Sequence, residues 1–189
     1  MKFALAVVLV AASLSAQADV VTAGFATFQM GANPVTGKIS RCGLEITVFR
    51  MIGTSVHDAT ASGVNGSMYV GRAGPEQYYA STKMALIRKG ASDTKHKTTE
   101  ARTWWIKAPN KPAAVPINKM IPAENPPYNL AGASVESMMD VLSAVLENKE
   151  LTIYVEPAVG GGADTLTAVL EVEGDGKSKL VGCIKELMG

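Results

Sequence analysis

The pattern of apolar residues between Ser134 and Gly189 constrains the fold more than any other part of the chain. In residues 134–147 apolar side chains recur every three or four positions, which predicts an amphipathic helix with Ser134 as N-cap and Asn148 as a left-handed exit. Residues 151–156 and 166–172 alternate between apolar and polar side chains, as half-buried strands do. Helical spacing returns near the C-terminus. The stretch therefore predicts helix, strand, loop, strand, helix.

The preceding part of the chain is dominated by segments with the two-residue alternation of strands. The predicted strands are residues 20–30, 44–52, 67–70, 78–87 and 98–106. Polar residues 88–97 are predicted to form a hairpin loop, and the Gly, Ser, Asn and Ala residues of 57–66 a second loop. The expected fold class is α+β, mostly antiparallel β, as a sandwich or half-barrel with two helices near residues 135–148 and 178–188.

The first 18 residues have the features of an export signal. Lys2 supplies a positive start, an apolar run follows, and Ala16-Gln17-Ala18 has the small-x-small pattern of a signal-peptidase site. We expect cleavage before Asp19 and a periplasmic or secreted protein without a transmembrane segment. An uncleaved anchor is the alternative, but the apolar run is shorter than the roughly 20 residues that a membrane span needs.

Two cysteines in an exported chain suggest one disulfide. Cys42 has the parity of the apolar residues in its strand, and Cys183 lies on the apolar stripe of the last helix. Both side chains are therefore predicted to point inward and to form a bridge, whose loop closure would contribute up to about 5 kcal/mol. Two separate buried thiols are the alternative.

Six of the nine prolines lie in residues 109–127. Proline removes a backbone donor and breaks helices and central strands, so this segment is predicted to be an extended surface connection. The roughly 60 residues that follow it would be marginal as an independent unit. We therefore expect residues 19–189 to form a single β-rich domain.

Catalytic and cofactor motifs are not found in the sequence. Residues 31–40 resemble a phosphate-binding loop, but the glycine spacing is wrong and Pro34 removes a donor. His57 and His96 stand alone in polar segments without metal-ligand spacing. Neither a GxSxG elbow nor a convincing triad is present. The sequence predicts no metal, no cofactor and no nucleotide, although converging carboxylates of a small hydrolase would leave no such motif.

Charge is distributed unevenly along the chain. Lys2 is the only charged residue of the first 18, so the remaining 17 Lys and Arg balance the 17 Asp and Glu. Residues 68–121 contain ten basic and three acidic residues, whereas residues 122–189 contain four basic and eleven acidic ones. The basic segment also carries aromatic residues, and each adjacent aromatic pair should have one buried and one exposed ring. We predict an exposed aromatic-basic face, although a solvated strand face would show the same pattern. The candidate binding residues are Tyr79, Lys83, Lys89, Trp105 and Lys107.

The C-terminal third resembles the invasion-associated locus B family of exported proteobacterial proteins. The resemblance rests on the amphipathic helix, on Lys149-Glu-Leu-Thr-Ile153 opening a strand, on the strand at 166–172, and on the closing helix. Gly174-Asp-Gly176 departs from the Leu-x-Gly-Phe expected after the second strand. The resemblance implies a small β-rich periplasmic or surface-associated protein without known catalysis, and it assigns no functional residue.

These observations favour an exported, non-enzymatic binding or envelope-accessory protein. Its partner would be an envelope component or another protein, and no nucleic acid is expected. Two alternatives are a secreted inhibitor or immunity-type protein acting through a loop at 57–66, 88–97 or 158–164, and a small hydrolase. An exposed aromatic-basic patch would favour the binding module, whereas a deep cleft with converging titratable groups would favour the enzyme.

Overall fold

The computed structural model describes residues 19–53 and 59–189, so the expected export signal and His57 lie outside the described residues. These described residues form ten strands and two helices. The strands are β1 (Asp19–Ala32), β2 (Ile39–Gly53), β3 (Thr60–Gly74), β4 (Gln77–Lys89), β5 (Lys97–Lys107), β6 (Ala113–Ala114), β7 (Ile121–Pro122), β8 (Asn129–Ala133), β9 (Glu150–Pro157) and β10 (Asp164–Val172). The helices are α1 (Val135–Leu146) and α2 (Gly176–Met188).

Seven of the strands close into a barrel in the order β5–β9–β10–β1–β2–β3–β4, with β4 returning to β5. All of these pairings are antiparallel except β1 with β10, which is parallel. The mostly β, α+β class is confirmed, but the expected sandwich or half-barrel is wrong. The physical reason is that β10 returns beside the first strand and removes the free edge that an open sheet would leave.

The inward-facing residues of the strands form the core. In β2 the even-numbered apolar residues Leu44, Ile46 and Val48 are buried, as the alternation predicts. Trp104 is fully buried, and its indole Nε1 donates to Thr82 Oγ1 at 2.8 Å. One strand face thus supplies the interior, and the odd-numbered residues of β2, β3 and β4 face outward.

The two predicted helices are present and lie at one end of the barrel. Helix α1 packs against β3, β4, β5 and β9, and α2 packs against β1 and β2. Ser134 caps α1 by accepting from the Ser137 N–H, and Asn148 has a positive φ of 54° just after the helix. Neither helix in the described part of the chain is long and apolar enough to cross a membrane.

The predicted disulfide between Cys42 and Cys183 is confirmed, with the two Cα atoms 5.9 Å apart. The bond joins the interior of β2 to the buried stripe of α2, as the phases of both residues predict. It connects parts of the chain separated by 141 positions and therefore ties the second strand to the last helix. The Pro-rich connection lies within the loop that this bond closes.

Residues 60–66 are not a loop, because β3 begins at Thr60. Their small side chains suit a strand that packs closely between its neighbours. A Cβ at Gly63 would collide with the β2 backbone at Val48 and Phe49, and one at Gly66 would collide with the Lys83 carbonyl. The glycines that led to the loop prediction are therefore needed in the strand, because the neighbouring strands leave no room for a Cβ atom. Of the three candidate inhibitory loops, the one at 57–66 is therefore strand from residue 60 onward, and its residues 57 and 58 lie outside the described residues.

Strand β4 changes partner halfway along, and this positions the candidate site. Residues 80–84 pair with β8, whereas residues 85–88 pair with β5. Strand β8 is followed outward by the short β7, so the Pro-rich connection returns to the barrel beside the first half of β4. The outer surface of β2–β3–β4 therefore ends against a wall formed by residues 117–130.

Candidate functional site

The structure divides the five predicted binding residues among three places. Tyr79 and Lys83 lie on the outer face of β4, in or next to the half that pairs with β8. Trp105 and Lys107 lie on the half of β5 that pairs with β9. Lys89 is at the opposite end of β4, where its ammonium donates to the Ala59 carbonyl at 3.1 Å. Tyr79 and Lys83 thus share one surface, and the single face expected from all five residues does not form.

Trp105 is engaged by another aromatic ring. It lies directly opposite Tyr154 on β9, and the two rings stack with centroids 5.5 Å apart and an interplanar angle of 7°. Three positions before Trp105 on the same strand, Arg102 forms an ion pair with Glu156. We call Trp105 and Tyr154 the stacked pair. In the stacked pair, each ring therefore has an aromatic partner within the protein.

Tyr79 and Lys83 instead line an open cleft with two adjoining lobes of about 450 Å³ each. The outer face of β2–β3–β4 supplies the floor, and the segment 117–130 supplies the wall. The lobe nearer to Lys83 is lined by Arg41, Ser67, Tyr69, Lys83, Leu130 and residues 121–125. The other lobe is lined by Arg41, Tyr79, Ala80, Ser81, Asn118, Lys119, Ile121, Leu130, Ala131 and Gly132. We call these the lysine lobe and the tyrosine lobe.

Two tyrosine rings lie over glycines of the cleft floor. Tyr79 is the cross-strand partner of Gly71, and Tyr69 is the partner of Gly43. A Cβ at either glycine would collide with the facing ring. Each ring therefore covers bare backbone with one side, as aromatic side chains do when they pack across from glycine. Tyr79 remains 39% exposed, so part of its ring is available to a ligand.

Lys83 lies beside the ring of a third tyrosine, Tyr128, which belongs to the wall. Its ammonium nitrogen is 4.9 Å from the Tyr128 ring centroid and 3.5 Å from the Asn125 Oδ1. The guanidinium carbon of Arg41 similarly lies 5.1 Å from the Tyr69 centroid. Cations over aromatic faces are held by the ring quadrupole, which orders them without neutralising their charge.

Tyr128 is fixed by its own hydroxyl. This hydroxyl donates to Asn65 Oδ1 at 2.5 Å, and the Asn65 amide donates to Thr47 Oγ1 at 2.8 Å. Burial, and secondly the nearby Glu45 carboxylate, raises the pKa of Tyr128 above its ordinary value of 10.0. The phenol therefore stays protonated at neutral pH and keeps its role as a donor.

Ser67 is the least satisfied polar group of the cleft. The residue is 3% exposed, it lines the lysine lobe, and its hydroxyl has no hydrogen-bond partner among the described residues. It faces Lys83 directly across the β3–β4 pairing. An unpaired buried polar group costs about 1–3 kcal/mol, so the hydroxyl would gain from a hydrogen bond to a bound molecule.

The cations of the cleft have no ion-pair partner. Within residues 19–53 and 59–189, no carboxylate lies within ion-pair distance of Arg41, Lys83 or Lys119. Glu124 is the one acidic residue that lines either lobe, and it is exposed. The cleft therefore combines three cations outside any ion pair, an unpaired hydroxyl and aromatic rings, which suits an anionic ligand with a ring or apolar face.

The described part of the chain contains no candidate metal site. No three His, Cys, Asp or Glu side chains of these residues converge as metal ligands would. His96 is exposed in the turn between β4 and β5. The cleft lining contains no histidine and no cysteine.

The sequence prediction missed most of the cleft. Arg41, Ser67, Tyr69 and Tyr128 were not among the candidates, because they come from three separate parts of the chain. The available signal was the parity of Arg41 in its strand: it is odd where the apolar residues are even, so it had to face outward. No local pattern indicates that Tyr128 would fold back onto Lys83.

Comparison with protein-family models, with curated proteins and with solved structures found no match to this chain. The resemblance to the invasion-associated locus B family therefore stays a prediction from the sequence.

Proposed function

We propose that this chain is an exported, non-enzymatic binding protein that holds a component of the cell envelope in the two-lobed cleft. The proposal combines the predicted export signal with the Cys42–Cys183 disulfide, since such bonds form and persist in the periplasm and outside the cell. The predicted family resemblance implies the same compartment and likewise no known catalysis.

The observation that carries this proposal is the lysine lobe. Ser67 and Lys83 face each other across two paired strands. The hydroxyl has no hydrogen-bond partner in the described residues, and the ammonium contacts only the Tyr128 ring and, at 3.5 Å, Asn125. Buried polar groups in proteins are nearly always hydrogen-bonded, so the unpaired hydroxyl supports a partner from outside the chain. A ligand that brings acceptor atoms would pair with both groups at once.

Binding is favoured over hydrolysis by the chemistry of the lining. General acid–base catalysis needs a titratable group placed against the reacting bond, and glycoside hydrolysis needs two carboxyl groups across it. Glu124 is the single carboxylate of the lining and lies on the exposed rim. The lobes are also open and shallow, as suits the capture of a chain that extends beyond the site.

A matched pair of lysine variants tests this function. Lys83→Gln removes a cation from the lysine lobe, and Lys107→Gln removes one from the outer face beside the stacked pair. Purified protein is incubated with envelope fractions at low ionic strength, and the bound amount is measured over a range of protein concentrations. Lys83→Gln should weaken binding by about 10- to 150-fold, since a charged hydrogen bond is worth about 1.5–3 kcal/mol, and Lys107→Gln should change it little.

Equal binding by the two variants would contradict the proposal, because the cleft would then have no special role. Unfolding curves of both variants provide the control. Both lysines are at least partly exposed, so neither substitution should lower the thermal midpoint appreciably.

A further inference from the structure

The cleft also indicates what class of ligand it takes, and this step rests on the proposed function. The lysine lobe presents three donors, namely the Ser67 hydroxyl, the Lys83 ammonium and the Arg41 guanidinium, and the Glu124 carboxylate lies at its exposed rim. The ammonium and guanidinium cannot accept a hydrogen bond, and the Ser67 hydroxyl makes no hydrogen bond with the described residues. The complementary group is an anion with several acceptor oxygens, such as a carboxylate.

The aromatic residues indicate a flat, partly apolar unit next to that anion. Tyr69 and Tyr128 flank the lysine lobe, and Tyr79 lines the tyrosine lobe with part of its ring exposed. The ring of a tyrosine is amphipathic and can cover the C–H face of a sugar while its surroundings bind the hydroxyls. In the tyrosine lobe, Ser81, Asn118 and Lys119 supply such groups.

The two lobes are continuous along the wall. They share Arg41, Ile121 and Leu130, and each has a volume within the range of small-molecule sites, about 300–1,000 Å³. An extended ligand can therefore place one unit in each lobe. Arg41 lies between them and reaches both.

An extended peptide fits this site less well, because the neighbouring strand has no free edge. Peptides commonly bind by adding a strand to an exposed sheet edge. Strand β8 pairs with β4 on one side, and on the other its Asn129 and Leu130 pair with β7. Further along, the Gly132 N–H donates to Asn118 Oδ1 at 2.8 Å, and the Gly132 carbonyl accepts from Ile117 at 3.0 Å. Recognition in the cleft must therefore come from side chains and ring faces.

From these observations we propose that the cleft binds an acidic polysaccharide. A sugar carboxylate lies against Ser67 and Lys83 in the lysine lobe, and the next sugar ring lies against Tyr79 in the tyrosine lobe. Arg41, between the two, contacts both units. Affinity comes from the paired charge and hydroxyl, and preference for a sugar chain comes from the aromatic faces.

Isothermal titration with three probes tests the inference. The probes are oligogalacturonate, its methyl ester, which keeps the sugar chain and loses the charge, and poly-glutamate, which keeps the carboxylates on a peptide. Oligogalacturonate should bind at least about tenfold more tightly than either control. Its affinity should fall as salt rises from about 0.01 to about 0.15 M, where the Debye length shortens from about 30 to about 8 Å.

Ser67→Ala is the discriminating variant. Removing the hydroxyl should weaken oligogalacturonate binding about tenfold and leave the thermal midpoint unchanged or raised, because the group has no partner in the free protein. A purely structural serine would give a lower midpoint and unchanged binding. Lys107→Gln serves as the control and should bind as the wild type does.

Several outcomes overturn the inference and separate it from the proposed function. Equal binding of the methyl ester would indicate a neutral sugar site, and equal or tighter binding of poly-glutamate would indicate an acidic protein partner. If oligogalacturonate fails to bind while Lys83→Gln still weakens binding to envelope fractions, the acidic-polysaccharide inference is wrong and the binding function stands. If Lys83→Gln leaves envelope binding intact, the proposed function itself fails.

Discussion

The two-lobed cleft and the stacked pair are both aromatic-basic surfaces on the outside of one barrel, yet their aromatic rings have different neighbours. The difference lies in the cross-strand partner. Trp105 faces Tyr154 and stacks on it, whereas Tyr79 faces Gly71 and Tyr69 faces Gly43. A ring opposite a ring is satisfied within the protein. A ring opposite a glycine covers backbone with one side and can use the other.

The cations of the two regions differ in their contacts. Beside the stacked pair, Arg102 forms an ion pair with Glu156, and Lys107 forms none with the described residues. In the cleft, Lys83 and Arg41 lie over tyrosine rings and have no acidic partner in the described residues. By amino-acid composition the two regions are alike, since both combine aromatic and basic residues. Register pairs the rings of one region with each other and leaves the rings of the other region beside an open cleft.

The largest expected effect comes from the scaffold that the two regions share. Leu142 is fully buried on α1, which packs against β3 and β4 of the cleft as well as β5 and β9 of the stacked pair. Leu142→Ala should lower the free energy of unfolding by about 2–5 kcal/mol through the cavity it leaves. Chemical denaturation followed by tryptophan fluorescence measures this, and the exposed Ser143→Ala on the same helix should change it little.

This variant also tests whether the regions are one unit. Denaturation followed by a tyrosine probe in the cleft should shift by the same amount as denaturation followed by Trp105. Separate midpoints would show that the cleft and the stacked pair unfold independently, each with its own free energy of unfolding.

The next effect distinguishes the regions directly. Trp105→Ala should cost about 2 kcal/mol, because it removes the stacking with Tyr154 and half-buried apolar area. Tyr79→Ala should cost about 1 kcal/mol or less, since Gly71 offers its ring no aromatic partner. Ligand binding should respond in the opposite order, with Tyr79→Ala weakening it and Trp105→Ala leaving it intact.

Trp105→Tyr provides the control for this pair, because it keeps a ring to stack on Tyr154. It should recover much of the stability lost in Trp105→Ala. A greater stability loss for Tyr79→Ala than for Trp105→Ala would mean that the cleft tyrosine is the structural one, and the assignment of roles would be reversed.

The smallest predicted effect concerns the hydroxyl that fixes the cleft wall. Tyr128→Phe removes the donor to Asn65 and should cost about 1 kcal/mol at neutral pH. Burial raises the folded-state pKa of Tyr128 above 10.0, so the folded protein holds this proton more tightly than the unfolded chain. The associated stability is complete below pH 10 and is lost as pH rises through the folded-state pKa.

The stability difference between wild type and Tyr128→Phe should therefore shrink in alkaline solution. Denaturation midpoints between neutral pH and the alkaline range measure it. Tyr154→Phe is the control, because the Tyr154 hydroxyl makes no hydrogen bond with the described residues and its ring stays stacked. A difference that grows with pH would show that the Tyr128 phenolate is stabilised in the fold.

Local chemistry determined the parts of the fold that could be predicted. The periodicity of residues 134–147 and the Ser134 cap specify α1, and the parity of Cys42 with Leu44 places the cysteine inside. Each of these signals lies within about one helix or one strand. They were sufficient for the helices, for the disulfide and for most strands.

The remaining features depend on pairings between distant segments. Closure of the barrel rests on β1 meeting β10, more than 140 positions away, and no residue in either strand specifies that neighbour. The predicted strand at 67–70 is shorter than β3, because the glycines of 60–66 were interpreted as loop residues. In the structure these glycines make room for Phe49 and Lys83. For the site, Tyr79 and Lys83 were found from aromatic-basic composition. Ser67 and Tyr128 become recognisable only when the β3–β4 register and the return of the Pro-rich connection are known.

The aromatic-basic face predicted from the sequence suggests a test by substitution of its lysines. Replacing Lys83, Lys89 and Lys107 together by Gln would remove cations from three separate places. Only the first of them belongs to the cleft. The single variants therefore distinguish a specific site from a general attraction to anions, which the triple variant does not.

The most direct test of the account follows all five tyrosines at once. In protein labelled with 3-fluorotyrosine, each of Tyr69, Tyr78, Tyr79, Tyr128 and Tyr154 contributes one fluorine signal, assigned by substitution with Phe. On addition of oligogalacturonate, the signals of Tyr69, Tyr79 and Tyr128 should shift together with one dissociation constant. Those of Tyr154, in the stacked pair, and of Tyr78, whose hydroxyl contacts the end of α2, should stay in place. A shift of Tyr154 equal to those of the cleft tyrosines, or no shift in the cleft, would contradict the claim that this cleft is the binding site.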